Sequence, residues 1–238
     1  MIRLIAFDLD GTLTQHKTKL EPANHDILVA LSKKYKLLMA GAGACMRIFN
    51  QMNEFPIDII GNYGLEFAEY DHEKKTLNVL ESNALPCDRE SIERRVTMIR
   101  EKYGFTDYVG DNVQYHASGC VTFPLLGTDA KIEDKLAFDP DRVKRRAFYD
   151  EVCEIFNEYN VFVGGSSSFD MAPKPFNKYY AIMKYCEKMG ISADEIAFVG
   201  DDYGPGGNDE SVYKSPIHFI TIDDYRTFPE VIRAAGLL

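Results

Sequence analysis

The chain reads as an α/β protein, a doubly wound and mostly parallel sheet with a smaller α+β unit inserted into it. Three observations predict this. Short apolar strands alternate with helical stretches near both ends of the sequence. Two of those strands, over residues 4–8 and 195–200, stop abruptly in acidic residues. Between them the pattern changes to helix, hairpin, helix and strands, which fits a separate α+β layer better than more parallel sheet.

The first strand leads from Ile2 through Leu4, Ile5, Ala6 and Phe7 into Asp8-Leu9-Asp10-Gly11-Thr12-Leu13-Thr14. Ligands of an open α/β sheet bind at the carboxyl ends of its strands, so a strand that delivers Asp8 and Asp10 there builds a site. Two positions apart on an extended chain, the two side chains share a face. Paired carboxylates repel unless a cation or a shared proton relieves them. A hard divalent ion with oxygen ligands, magnesium, suits that need and draws in a phosphate. Gly11 lets the backbone turn closely around it. Taken alone, D-x-D is more often a turn or a helix start; the strand before it and Gly-Thr-Leu-Thr after it shift the balance.

Pro22 and Asn24 open a helix through Ile27, Leu28 and Leu31, with a basic end at residues 33–36. A strand over residues 36–40 runs into Gly41-Ala42-Gly43-Ala44 and then a helix over 46–52. Gly41 and Gly43 either present backbone N–H groups to an anion or close-pack the turn, and the two readings carry equal weight. Residues 58–64 give a third strand with its turn, and 65–70 with 76–80 a hairpin whose tip carries a solvated His72.

From residue 82 the pattern changes. Asp88 starts a helix with Ile92, Val96 and Ile99 at helical spacing, ended by Gly104. Strands at 112–117 and 120–126 join through Ser118-Gly119, followed by a charged segment over 129–146, a helix carrying Phe148, Val152, Ile155, Phe156 and Tyr159, and strands at 161–164 and 167–171. Residues 82–172 are expected to form a cap over the site, inserted between core segments 1–81 and 173–238. Ser168 and Asp170 alternate with Phe169 and Met171, so their face meets either a sugar hydroxyl or water. His116 reads as an ordinary strand histidine rather than a substrate contact.

The core resumes with Lys178 at the start of a helix carrying Ile182, Tyr185 and Met189 and closed by Gly190. A lysine in a first helical turn opposes the helix dipole, so helix stability does not account for it. Ser192 to Glu195 has capping-box spacing before the strand that ends at Asp201-Asp202. The loop from Tyr203 to Asp209 is too glycine-rich for a helix and too acidic to cradle phosphate by itself. A metal between loop and phosphate would resolve this, although such a cluster seen alone is more often a plain surface turn.

The totals narrow the class. Lys plus Arg number 27 and Asp plus Glu 37 in 238 residues, a net charge of −10, and no basic patch is present. Nucleic acid and anionic membranes are excluded as partners on that ground. Five dispersed cysteines without a metal-binding spacing point to a reducing compartment and no structural zinc. No apolar run reaches bilayer-spanning length. The expectation is a soluble cytoplasmic protein with a small-molecule substrate and room for an oligomer formed through the cap.

The motifs D-x-D-G-T at residues 8–12, a lysine opening a helix at Lys178, and G-D followed by N-D within residues 200–209 together resemble the haloacid dehalogenase (HAD) superfamily, in its subclass IIB with an α+β cap. The likeness extends to eukaryotic-type phosphomannomutases through G-D-x-x-x-P-G-G-N-D at 200–209, G-G-x-x-S-F-D at 164–170 and N-K-Y-Y at 177–180. The resemblance implies that Asp8 is the nucleophile that takes the phosphoryl group and that Asp10 is the general acid/base. It implies Mg²⁺ held by Asp8, the backbone carbonyl of Asp10 and Asp201, with Asn208 and Asp209 orienting it, and Lys178 as a cation on the aspartyl phosphate. Gly41 and Gly43 stand where the second HAD motif usually has Ser or Thr, leaving backbone donors, and Ser168 and Asp170 would contact a sugar phosphate. His116 and Thr128 occupy positions where the phosphomannomutases carry phosphate-reading arginines. That departure leans the reading to a phosphohydrolase, with a phosphosugar mutase as the alternative and a catalytically silent sugar-phosphate binder as a third.

Overall fold

The computed structural model describes residues 1–238. The chain divides into two compact units: Met1–Ser82 with Asn177–Gly204 and Asp209–Leu238, and Asn83–Phe176 with Pro205–Asn208. The strands are β1 (Leu4–Phe7), β2 (Lys36–Ala40), β3 (Asp58–Gly61), β4 (Glu66–Asp71), β5 (Thr76–Ser82), β6 (Gln114–Tyr115), β7 (Val121–Pro124), β8 (Tyr159–Phe162), β9 (Ser168–Pro173), β10 (Ile196–Gly200) and β11 (His218–Thr221). The α-helices are α1 (Pro22–Ser32), α2 (Cys45–Gln51), α3 (Arg89–Tyr103), α4 (Ile132–Phe138), α5 (Val143–Arg146), α6 (Tyr149–Ile155), α7 (Lys178–Met189), α8 (Glu210–Tyr213) and α9 (Phe228–Ala234).

The first unit is a seven-stranded sheet in the order β11-β10-β1-β2-β3-β4-β5. β1 is the third strand, flanked in parallel by β10 and β2, with Phe7 opposite Val199 on one side and Met39 on the other. Successive β1 residues enter different apolar layers: Ile5 and Phe7 pack with Leu28, Met39 and Phe228, while Leu4 and Ala6 pack with Leu38, Ile182 and Phe198. With both faces covered, the strand has no polar side, which is why it reads as an unbroken apolar run. The β3-β4-β5 end is antiparallel and forms the expected hairpin.

The caps that position the site are local. Asn177 accepts a hydrogen bond from the Tyr180 N–H and fixes the start of α7, and Gly190 ends it in the left-handed conformation at φ 59°. A capping box between Ser192 and Glu195 holds a single 3₁₀ turn that feeds β10.

The second unit is a four-stranded antiparallel sheet, β6-β7-β9-β8, packed through Phe123, Phe169 and Met171 with Ile92, Phe148, Val152 and Phe156. Three details differ from the sequence expectation. The charged segment over 129–146 holds α4 and α5; α4 buries no residue, so it leaves no apolar stripe to read. Tyr159 opens β8 instead of closing a helix, because α6 stops at Ile155. β6 and β7 are shorter than expected, joined by a turn in which Gly119 adopts φ +91° and donates to the His116 carbonyl. No helix is long and apolar enough to cross a membrane.

Candidate active site

The parallel register of β1 and β10 carries both chains to the same sheet edge. The Asp8 N–H donates to the Val199 carbonyl at 2.9 Å, and the next two positions after Val199 are Gly200 and Asp201. α7 begins at that edge with Lys178, whose Nζ donates to Asp8 Oδ1 at 2.5 Å and to Asp209 Oδ1 at 2.6 Å. Carboxylate oxygens of Asp8, Asp201 and Asp209 lie within 4.8 Å of one another. The acidic loop is closed by the Asp209 N–H bonding the Asp202 carbonyl and the Asp202 N–H bonding Asp209 Oδ2. Thr12 Oγ1 donates to Asp201 Oδ1 at 2.8 Å, tying the first motif to the last. Gly11 has φ +98°, and a Cβ there would run into the Asp201 carboxylate, so this position needs glycine for its backbone and for its neighbour.

Lys178 is 1% exposed and Asp209 fully buried. Burial pushes the Asp201 carboxyl up to about 8, reinforced by Asp8 and Asp209. Burial pushes Asp209 up to about 7, with Lys178 pulling the other way. For Lys178, burial opposes the charge, but Asp209 and Asp8 outweigh it and its pKa is raised. Three carboxylates around one ammonium carry a formal charge of −2 when all are ionised. A divalent cation cancels that charge, and an all-oxygen donor set is what Mg²⁺ takes. The residues present therefore fit the ion.

Asp10 differs from the expectation of two acids on one face. The strand ends at Phe7, and the N–H groups of Thr12, Leu13 and Thr14 all turn back to the Leu9 carbonyl, so the extended-chain spacing does not apply. The Asp10 carboxylate is outside the three-acid group, which leaves its backbone carbonyl as its means of meeting a metal. Its Oδ1 accepts from Gln51 Nε2 at 2.6 Å and from the Lys17 N–H at 2.8 Å. Its Oδ2 faces Arg47 at 3.7 Å and His16 at 3.9 Å. Neither Gln51 nor Arg47 was picked out from sequence.

At Gly41 the N–H is taken up in packing the turn, while no acceptor within the protein meets the Gly43 N–H. The Gly41 N–H donates to the Ile60 carbonyl, and the carbonyls of Gly41 and Gly43 accept from Tyr63 and Asn62. The first amide of α2, at Cys45, donates to Glu66 Oε2 at 2.6 Å. The cause is a close backbone crossing: a Cβ at Gly61 would meet the Gly43 carbonyl and the Cys45 nitrogen. In the second unit, Ser168 Oγ donates to the Gly164 carbonyl, and Asp170 Oδ1 accepts from Thr122 Oγ1 at 2.9 Å. His116 Nε2 meets the same Thr122 hydroxyl at 3.0 Å. Thr128 is committed to its own loop, its Oγ1 accepting from the Asp111 N–H. Asn208 is half-buried in the 205–208 stretch that groups with the second unit, whereas Asp209 belongs to the first.

Known structures share this fold. Plasmodium falciparum IMP-nucleotidase superposes with a TM-score of 0.68 at 15% identity, over 98% of this chain and 70% of that one. A HAD subclass IIB sugar phosphatase gives 0.64 at 14% identity, over 99% and 100%. Among sequence relatives, a probable phosphomannomutase of Caenorhabditis elegans is 23% identical over 226 residues, 88% of this chain and 85% of its own length. The phosphomannomutase of Schizosaccharomyces pombe is 25% identical over 226 residues, covering 90% and 86%. The family model for eukaryotic phosphomannomutase matches residues 110–230, more than half of the chain and reaching from the second unit back through Lys178 and the acidic loop, so this protein belongs to that family.

Proposed function

We propose that the protein is a phosphosugar mutase of the phosphomannomutase type, moving a phosphoryl group through Asp8. The observation that carries phosphoryl transfer is the buried group of Asp8, Asp201 and Asp209 around Lys178, whose charge balance calls for a divalent cation. Mutase chemistry is supported by relatives named phosphomannomutases, aligned over 85% or more of their own length.

In this reading an Asp8 carboxylate oxygen attacks phosphorus in line, and the bond to the sugar oxygen breaks as Asp10 donates a proton to it. Lys178 fixes Asp8 and offsets charge on the phosphorylated carboxylate. Asp10 then removes the proton from the second sugar hydroxyl that attacks the aspartyl phosphate. Mg²⁺ would be held by Asp8, the Asp10 carbonyl and Asp201, with Asn208 and Asp209 orienting it, and would supply charge neutralisation at the phosphoryl oxygens. Ser168 and Asp170 are the proposed sugar contacts.

Hydrolysis, favoured from sequence, becomes the second reading. It is favoured by His116 and Thr128 alone, which replace planar cations at positions where the resemblance expects arginines. The discriminating experiment incubates the protein with mannose 1-phosphate, Mg²⁺ and a catalytic amount of hexose 1,6-bisphosphate, followed by phosphorus NMR. Appearance of the 6-phosphate supports the mutase; inorganic phosphate released without isomerisation supports the hydrolase. Neither product, with no difference between wild type and Asp8→Asn, would leave a binding module.

A further inference from the structure

α2 carries Arg47 and Gln51 one turn apart on the same face. Arg47 Nη1 donates to Gln51 Oε1 at 2.9 Å, and Gln51 Nε2 donates to Asp10 Oδ1 at 2.6 Å and to Thr14 Oγ1 at 3.0 Å. Gln51 is only 7% exposed, so its amide is held in one orientation, whereas the Arg47 side chain is 45% exposed. The remaining guanidinium edge, Nε and Nη2, bonds no protein acceptor and lies over Gly43, in the space that a side chain on residue 43 would fill. The backbone at Gly43 is outside the left-handed region, so a side chain there would have only to displace the guanidinium.

An arginine tied to Asp10 on one edge and open on the other presents two parallel N–H groups, the geometry that grips two oxygens of one phosphoryl group. We propose that Arg47 binds the phosphoryl group of the substrate from the space above Gly43, and that Gln51 is a positioning residue that holds Arg47 and Asp10 in fixed relation. The inference deepens the phosphoryl-transfer reading and rests on it for the role of Asp10.

The test measures binding of inorganic phosphate by calorimetry in the presence of Mg²⁺, alongside kcat and KM, for wild type, Arg47→Ala, Arg47→Lys, Gly43→Ser and the double variant Gly43→Ser/Arg47→Ala. Losing a charge-assisted pair of hydrogen bonds weakens phosphate binding by about tenfold or more in Arg47→Ala, with KM rising in step, and Arg47→Lys recovers part of it. Gly43→Ser alone also weakens binding, because its Cβ displaces the guanidinium. In the Arg47→Ala background the same serine costs nothing further and improves binding, since the space is free and a hydroxyl donor has entered it. Gln51→Met lowers kcat per folded molecule and raises KM less than Arg47→Ala does. Wild-type phosphate affinity in Arg47→Ala, additive losses in the double variant, or no phosphate binding by the wild type would each overturn the proposal. Phosphate binding that depends on Arg47 in a protein that turns over no sugar phosphate would sustain the Arg47 site and sink the functional reading instead.

Discussion

Lys178 in the first unit and Arg145 in the second are both 1% exposed, yet they answer to opposite arrangements. Arg145 has one acid, Asp139, 2.9 Å from its Nε, and its other N–H groups are taken by the carbonyls of Gly164 and Ser168. Asp139 in turn accepts from the backbone N–H groups of Lys144 and Arg145. Charge and hydrogen bonds close on themselves, and the result is a scaffold that folds the 164–168 turn. Lys178 meets Asp8 and Asp209 directly and has Asp201 beside them, so the acids exceed the cations. Burial is common to both regions. It is the unbalanced count of charges that marks a site for a ligand.

That contrast can be broken from either side. The largest effect falls on Asp8→Asn, which removes the proposed acceptor of the phosphoryl group and should lower kcat by more than about 10⁴-fold, read by phosphorus NMR or coupled turnover, without unfolding the protein. Arg145→Met strands Asp139 in the interior and should cost about 3–5 kcal/mol of stability in denaturant titrations, because a buried charge is left unpaired. If that variant were as stable as wild type, the closed arrangement around Arg145 would not be structural. Next, Mg²⁺ at about 100 times its dissociation constant should stabilise the folded protein by about 2.7 kcal/mol, seen as a rise in Tm. Asp201→Asn/Asp209→Asn should lose that rise.

The smallest effect is on acidification. Burial raises the Asp139 carboxyl, but hydrogen bonds from Arg145 and from the Lys144 and Arg145 amides outweigh it and hold its pKa below the ordinary carboxylate value. A depressed folded-state pKa gives stability that is present above about pH 4 and is lost as pH falls through the folded value. Near-ultraviolet circular dichroism across pH 5 to 2 should show wild type losing this contribution while Asp139→Asn, already weakened, changes less.

Much of the frame was legible in the sequence because its causes are local. β1 and β10 lie between two apolar layers and read as unbroken hydrophobic runs, and the acids at their ends stand out against them. Lys178 was legible as a cation placed against the helix dipole. The surroundings of the Asp10 carboxylate were not legible, because the spacing rule for extended chains stops at Phe7 and the backbone then turns onto the Leu9 carbonyl. Arg47 and Gln51 were invisible for the same reason: that turn is what brings Asp10 to α2. The packing of the 41–44 loop was not legible because it depends on Gly61 crossing it, a contact between residues far apart in the sequence. The preference between hydrolysis and isomerisation was reversed by relatives, since substitutions at His116 and Thr128 speak to one subsite and not to the whole reaction.

Strand β1 has one neighbour close in sequence and one that is very remote, since Leu4 pairs with both Lys36 and Ile196. During synthesis, one edge of β1 stays open until residues 196–199, about 190 positions later, have emerged. Such long-range pairing slows folding and exposes unpaired strand to other chains. Premature termination before β10 would therefore yield an aggregation-prone fragment, and Asp8 would acquire Lys178, Asp201 and Asp209 only late in assembly.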